Sequence, residues 1–361
     1  MAIQVSFGPV DWERVRGDYA RWWAHDLERP LVQIGEKVWS EDHPPYPVQS
    51  FASNYGLEMP AEEIVAQYGG HLEAQRFYGD AFPRWWVNYG PGILAGFMGA
   101  RVHSVPETVW FEPVEEMRAE DLTLSMDEEN VWWQRVLEIT RTAADAWGDQ
   151  ALVGFTDFGG NLDVLASFRT TQGLIYDLYD APEALDRLVS EVTAHWLRCY
   201  ERQYEIIRQQ RLGTTPWAPI WSESTCYMLQ CDFGYMISPE MFERFVIPDL
   251  TACCERLEHG FYHLDGPGQI AHVDLLLEMP RLRGIQWIPG DGNPPPEGWP
   301  ELLSRFIDGG KLCQLFVTAQ GAHEIVKTVG GRGMLLAITD EMSADEAEAY
   351  IKVLARDDIS R

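Results

Sequence analysis

The amino-acid sequence predicts a (β/α)8 barrel of the TIM type with an irregular, partly helical N-terminal extension. Three observations carry that prediction. From about Arg84 onward, short apolar runs alternate with segments of helical period, as they do in parallel β/α units. Each run leads into a polar or glycine-rich loop, the place where a barrel keeps its functional groups. No G-x-G-x-x-G fingerprint follows an early strand, which disfavours the doubly wound open sheet. At 361 residues the length suits two domains or one extended barrel. The expected division is an extension over 1–80 packed on a barrel over 81–361, together one structural domain.

In chain order, "EDHPPYPVQ" (41–49) reads as a proline-rich loop and "PAEEIVAQYGGHLEAQRF" (60–77) as a helix. "GPGILAGFMGA" (90–100) holds too many glycines for an undisturbed helix and predicts a turn or a close backbone approach. It is no phosphate loop, because no G-K-[ST] follows. Ser125 with Glu128 and Ser343 with Glu346 have capping-box spacing. Pro182 heads a long amphipathic helix that Gly213 should stop, and Ser238-Pro239 head another that Pro248 should kink or divide. The candidate strands are 30–35, 151–157, 215–223, 260–265, 284–289, 311–317 and 333–339.

Composition bounds the function. The net charge of −28, from 56 acidic and 28 basic residues, makes nucleic acids and anionic membranes poor partners. A 46% hydrophobic content with 15 tryptophans can fill a large core. Six cysteines show no disulfide framework and the N-terminus shows no secretory pattern, so a reduced, cytoplasmic protein is expected. No apolar run is long enough to span a membrane.

Residues two apart in a strand share a face, so His263 and Asp265 in "YHLDG" should project together at a strand's end. They are the proposed catalytic centre, with Glu223 and Asp232 as further catalytic candidates. As metal ligands they would use a nitrogen and an oxygen, with Glu223, Cys226 or Cys231 completing the set. Without a metal, Asp265 would hold His263 in one tautomer as an acid/base pair. The bland reading is a hydrogen-bonded pair finishing a strand. "TDFGGNLDVLASFRTTQG" offers Asp157, Asn161 and Asp163 as a substrate loop, or simply as a turn. Asp232 and Tyr235 precede a helix start suited to an anionic group. Trp221, Gln286 and Trp287 lie near predicted strand ends and complete the substrate-binding candidates.

The stretches "ALVGFTDFGGNLDVLASFRTTQGLIYDLYDAPEAL", "DFGYMISPEMFERFVIPDL", "YHLDG" and "GGRGMLLAIT" with "MSADEAEAYIKVL" resemble the uroporphyrinogen decarboxylase superfamily, which includes the corrinoid-linked methyltransferases. The resemblance implies a TIM-type barrel with its pocket at the strand C-termini. It implies a small-molecule enzyme, by methyl transfer or by cofactor-independent decarboxylation, with a divalent metal (zinc or a harder ion) and a corrinoid protein as partner. A barrel that only binds a ligand or a corrinoid protein is the reading outside enzymes, and a homodimer is open. Two departures matter. After Arg29-Pro30 the arginines that grip porphyrinogen carboxylates are missing. His263 matches the histidine of the methyltransferases' H-x-C motif, but Asp265 stands at its cysteine and Asp340 near the later one, which favours a harder metal or none. The decarboxylase alternative needs a cation facing the pocket, such as Arg84, Arg101 or Arg169.

Overall fold

The computed structural model describes residues 2–39 and 48–359, so most of the proline-rich loop expected at 41–49 lies outside the described residues. Its strands are β1 (Leu31–Lys37), β2 (Gln75–Gly79), β3 (Arg84–Trp86), β4 (Arg101–Val105), β5 (Thr108–Glu112), β6 (Leu152–Gly154), β7 (Cys226–Gln230), β8 (His259–Asp265), β9 (Leu282–Ile288), β10 (Leu312–Val317) and β11 (Met334–Ile338). Seven of them form one sheet in the order β2-β1-β11-β10-β9-β8-β7. All its neighbours are parallel except β2, which runs antiparallel to β1. β3 and β6 make a separate parallel pair, and β4 with β5 an antiparallel hairpin. Thus β1 and β2, within the first eighty residues, belong to the main sheet.

Among the described residues no ladder joins β1 to β3 or β6 to β7, so strand pairing does not close the sheet into a ring. The seam beside β7 is crossed in another way. The stretch 215–223, expected as a strand, instead lies mostly in a hairpin closed by a bridge between Thr214 and Ser222. Pro216 and Pro219 have no N–H to give a ladder, which is why an apolar run of strand-like composition fails to become one. The hairpin takes the Phe155 N–H on the Thr215 carbonyl at 3.1 Å, and the Trp217 indole donates to the Met228 carbonyl at 3.2 Å. Directly across the seam, the Tyr227 hydroxyl donates to the Thr156 carbonyl and accepts from the Phe158 N–H, both at 2.8 Å.

The helices are α1 (Pro9–Trp23), α2 (Ala61–Glu73), α3 (Leu94–Phe97), α4 (Val131–Trp147), α5 (Asn161–Arg169), α6 (Thr171–Asp180), α7 (Pro182–Ile207), α8 (Pro239–Phe245), α9 (Ile247–Arg256), α10 (Val273–Leu277), α11 (Pro300–Asp308), α12 (Ala319–Thr328) and α13 (Ala344–Ile359). The break between α8 and α9 falls just before Pro248, as its missing donor requires. Glu346 accepts from both the Ser343 N–H (2.9 Å) and its hydroxyl (2.6 Å), fixing the start of α13. The Ser125–Glu128 box does not start a helix. α4 begins at Val131, where the Asn130 side chain accepts the Trp132 and Trp133 N–H groups at 3.0 and 3.2 Å. α1 covers the N-terminal end of the sheet: Trp22 stacks on Phe261 at 5.9 Å and Trp23 on His259 at 3.9 Å. No described helix is long and apolar enough to cross a membrane.

The glycine-rich stretch after β3 makes the close approach its composition implied. Gly92 has φ +86°, and a Cβ on Gly159 would fall 2.5 Å from the Gly92 Cα. The Gly92 and Ile93 N–H groups both bond the Asp157 carbonyl at 3.2 Å, which ties this loop to the one that follows β6.

Candidate functional site

Alternation along β8 decides which side chains meet. Tyr262 packs outward, edge-on to Phe242 at 6.2 Å with its hydroxyl on Gln269 at 2.8 Å. Phe261, His263 and Asp265 therefore share the opposite, interior face. Register sets Gln230 of β7, His263 of β8, Gln286 of β9 and Gln314 of β10 side by side. They form a polar belt across four neighbouring strands. His263 Nδ1 bonds Gln286 Oε1, and Gln286 Nε2 bonds Gln314 Oε1. An amide oxygen only accepts, so the proton sits on Nδ1 and Nε2 keeps its lone pair. Burial lowers the His263 pKa, partly opposed by Gln286 and Asp265, and keeps the ring neutral.

The chain after β7 brings Asp232 to the same place. One ligand atom from each of Asp232, His263 and Asp265 lies within 4.8 Å of the others. Asp163, at the start of α5, holds Asp232 there by accepting the Asp232 and Phe233 N–H groups at 3.0 and 2.7 Å. Lost hydration, then the charge of Asp265, raises the Asp232 pKa, although its side chain still reaches solvent. Burial, then Asp232, raises Asp163. Burial pushes Asp157 up to about 8 against the Gly159 N–H it accepts at 2.9 Å and its bond with Gln230. Among the described residues no lysine or arginine pairs with these crowded carboxyls.

This donor set fits a divalent cation. One neutral imidazole nitrogen is oriented from behind through its other nitrogen, and two carboxylates repel each other unless a positive charge lies between them. The set is nitrogen and oxygen only. Cys226 and Cys231 are fully buried, with thiols raised by burial, and they are not part of the group. None of Glu223, Cys226 and Cys231, considered from the sequence as the third member, joins His263 and Asp265; the residue that does is Asp232.

The remaining predicted residues separate. Tyr235 is half exposed at the mouth, and its ring lies 2.7 Å from where a Cβ on Gly268 would sit, over the loop after Asp265. Asn161 is spent structurally: its Nδ2 donates to the Phe245 carbonyl and its Oδ1 accepts the Leu162 N–H, both at 2.7 Å. Glu223 and Trp221 belong to the other end, because they precede β7 and not its C-terminus. Trp221 donates to the Leu212 carbonyl at 2.7 Å, and Glu223 lines a 450 Å³ cleft with Arg16, Arg208 and Arg211. Trp287 points outward, packed on Trp299 at 5.2 Å. The tryptophan that does reach the centre is Trp217, edge-on to His263 at 5.2 Å. Gln230 and Gln314 were also missed, although a lone glutamine inside an apolar run ("YMLQ", "LCQLF") was a visible signal.

No protein-family model matches the chain, and neither does any curated protein sequence. Among solved structures it is similar to a methyltransferase from Methanosarcina mazei, at 11% identity over 95% of this chain and 98% of that one, with a TM-score of 0.59. That likeness is one of fold. A B12-independent methionine synthase from Shewanella sp. W3-18-1, in complex with selenomethionine, matches at 10% identity over 73% of this chain and 74% of that one, with a TM-score of 0.37.

Proposed function

We propose that this chain is a barrel enzyme of the uroporphyrinogen decarboxylase and methyltransferase superfamily, that it holds a divalent metal on Asp232, His263 and Asp265, and that it transfers a methyl group to a small molecule. The observation that carries the reading is the convergence of those three ligand atoms within 4.8 Å at the C-terminal ends of adjacent parallel strands. The shared fold with a methyltransferase supports it, as does the match of His263 to the methyltransferases' histidine. Bound there, a divalent cation supplies Lewis acidity, which makes a substrate nucleophile more acidic and fixes its position. The protein's own part is to present His263 Nε2 unprotonated through the Gln286–Gln314 chain, to hold Asp232 through Asp163, and to wall the site with Trp217. The methyl donor in this reading is a corrinoid protein, on the strength of the sequence resemblance.

The test is metal analysis of protein purified without added metal and then given one divalent ion at a time, with Asp265→Ala alongside. About one equivalent in the parent and none in the variant is expected. A parent that binds no ion sinks the metal centre and moves the weight to acid/base chemistry by His263 and Asp265.

A further inference from the structure

Arg84 opens β3. Its neighbour Trp85 packs outward on Tyr68 at 4.4 Å and Trp147 at 5.4 Å, so Arg84 faces the interior. Its Nε donates to Thr215 Oγ1 at 3.2 Å, and Nη2 donates to the carbonyls of Pro216 and Trp217 at 2.7 and 2.8 Å. Among the described residues Nη1 makes no hydrogen bond and no carboxylate pairs with this guanidinium. The other two arginines singled out from the sequence do not compete: Arg169 Nη2 bonds Asp177 at 3.0 Å, and Arg101 lies exposed on the β4–β5 hairpin. In a chain with twice as many acids as bases, an interior arginine without an acid is unusual. Desolvating a cation without a counter-charge is costly, and carbonyl dipoles offset only part of it. Burial accordingly pulls the Arg84 pKa down to about 10, which still leaves it charged at neutral pH.

A second group points the same way. Gln314 is fully buried and its Nε2 has no acceptor. Arg84 and Gln314 thus each keep a donor to spare, apart from the carboxylates gathered at Asp232 and Asp265, and an acceptor could take either. Both lead to the centre: Trp217 takes Arg84 on its carbonyl and meets His263 with its ring, and Gln314 reaches His263 through Gln286.

We propose that the substrate is a small aliphatic carboxylate whose anionic end pairs with Arg84 while its reacting end lies at His263. The second half rests on the site reading of the preceding subsection; the first does not. A carboxylate paired with a guanidinium is stabilised as the anion. Loss of CO2 would carry the charge away from the guanidinium, so the pair favours the intact carboxylate, and that end is assigned as the handle that positions the substrate.

The test titrates butyrate and its uncharged amide, butyramide, into metal-stripped protein, by calorimetry and tryptophan fluorescence. Butyrate is expected to bind saturably and butyramide at least about tenfold more weakly. Arg84→Gln should remove that preference. Equal binding of the two ligands by the parent, or a preference that survives Arg84→Gln, overturns the proposal. Should Arg84→Gln fail to fold, Arg84→Lys decides: it replaces the two-pronged donor by one ammonium and is expected to weaken butyrate several-fold, and unchanged affinity overturns the assignment. Metal content and butyrate preference are read separately on the parent: a parent that takes up no ion but prefers butyrate loses the metal centre and keeps the anchor, and one that takes up an ion without preferring butyrate does the reverse.

Discussion

The proton on His263 is placed by side chains one and two strands away. Gln314 orients Gln286, and Gln286 dictates which imidazole nitrogen stays free. Gln286→Leu keeps the volume but lets the ring exchange tautomers, so metal affinity is expected to fall about tenfold, read by titrating Co2+ and following its visible bands. Buried Asp249 on α9 makes a separate prediction, remote from the candidate ligands. Thr193 donates its hydroxyl to the Val189 carbonyl at 2.9 Å, so Asp249, which also bonds that hydroxyl, is suited to be the protonated partner. Burial pushes its pKa up to about 7 from an ordinary 3.8. A carboxyl with a raised folded-state pKa stabilises the fold fully below its unfolded pKa, and that contribution is lost as pH rises toward 7. Asp249→Asn keeps a donor and cannot ionise. Its stability relative to the parent should rise between about pH 4 and pH 7 and then level off, by up to about 4 kcal/mol in urea unfolding. An advantage that is flat with pH would show that Asp249 is ionised in the fold.

At the scale of elements, spacing identified some features and chemistry overruled others. Asn130, not Ser125, caps α4, because it sits immediately before the apolar run of the helix and its Oδ1 reaches two free N–H groups. Asn130→Ala should cost about 1 kcal/mol in urea unfolding, and Ser125→Ala under about 0.5 kcal/mol. Equal costs would show that the box at Ser125 matters after all. His263 with Asp265 was legible because a strand's period of two is rigid and β8 was placed within a residue of its observed start. Glu223 and Trp221 were assigned to the wrong end because 215–223 looked like a strand by composition, while its two prolines make it a hairpin and shift the true strand to β7. Trp287 failed on parity: Gln286 faces inward, so its neighbour cannot. No local signal marks Arg84 or Trp217 as interior partners, since their meeting depends on where the hairpin lands between strands distant in sequence.

For the whole molecule, the parallel β/α character could be read from the alternation of runs, but the way the seam is bridged could not. It depends on the Tyr227 hydroxyl, the Trp217 indole and the Thr215 carbonyl and not on a repeating ladder. The charge balance acts at the same scale. With 56 acids and 28 bases, a net charge of −28 remains however the surface pairs are arranged. Exposed pairs such as Arg244–Asp186 and Arg305–Asp274, both at 2.7 Å, are each worth at most about 1 kcal/mol and weaken with salt. Unpaired carboxylates repel over a distance that shrinks from about 30 Å at 0.01 M salt to about 8 Å at 0.15 M. The repulsion involves more charges over longer range, so its screening should outweigh the loss of the pairs. The thermal midpoint at neutral pH is therefore expected to rise as NaCl goes from about 0.01 M to about 0.15 M, with an uncharged osmolyte at equal osmolality as control. A midpoint that falls would mean that the ion pairs contribute more than the excess charge costs, and that the acidic groups are spread widely enough over the surface for their mutual repulsion to be negligible.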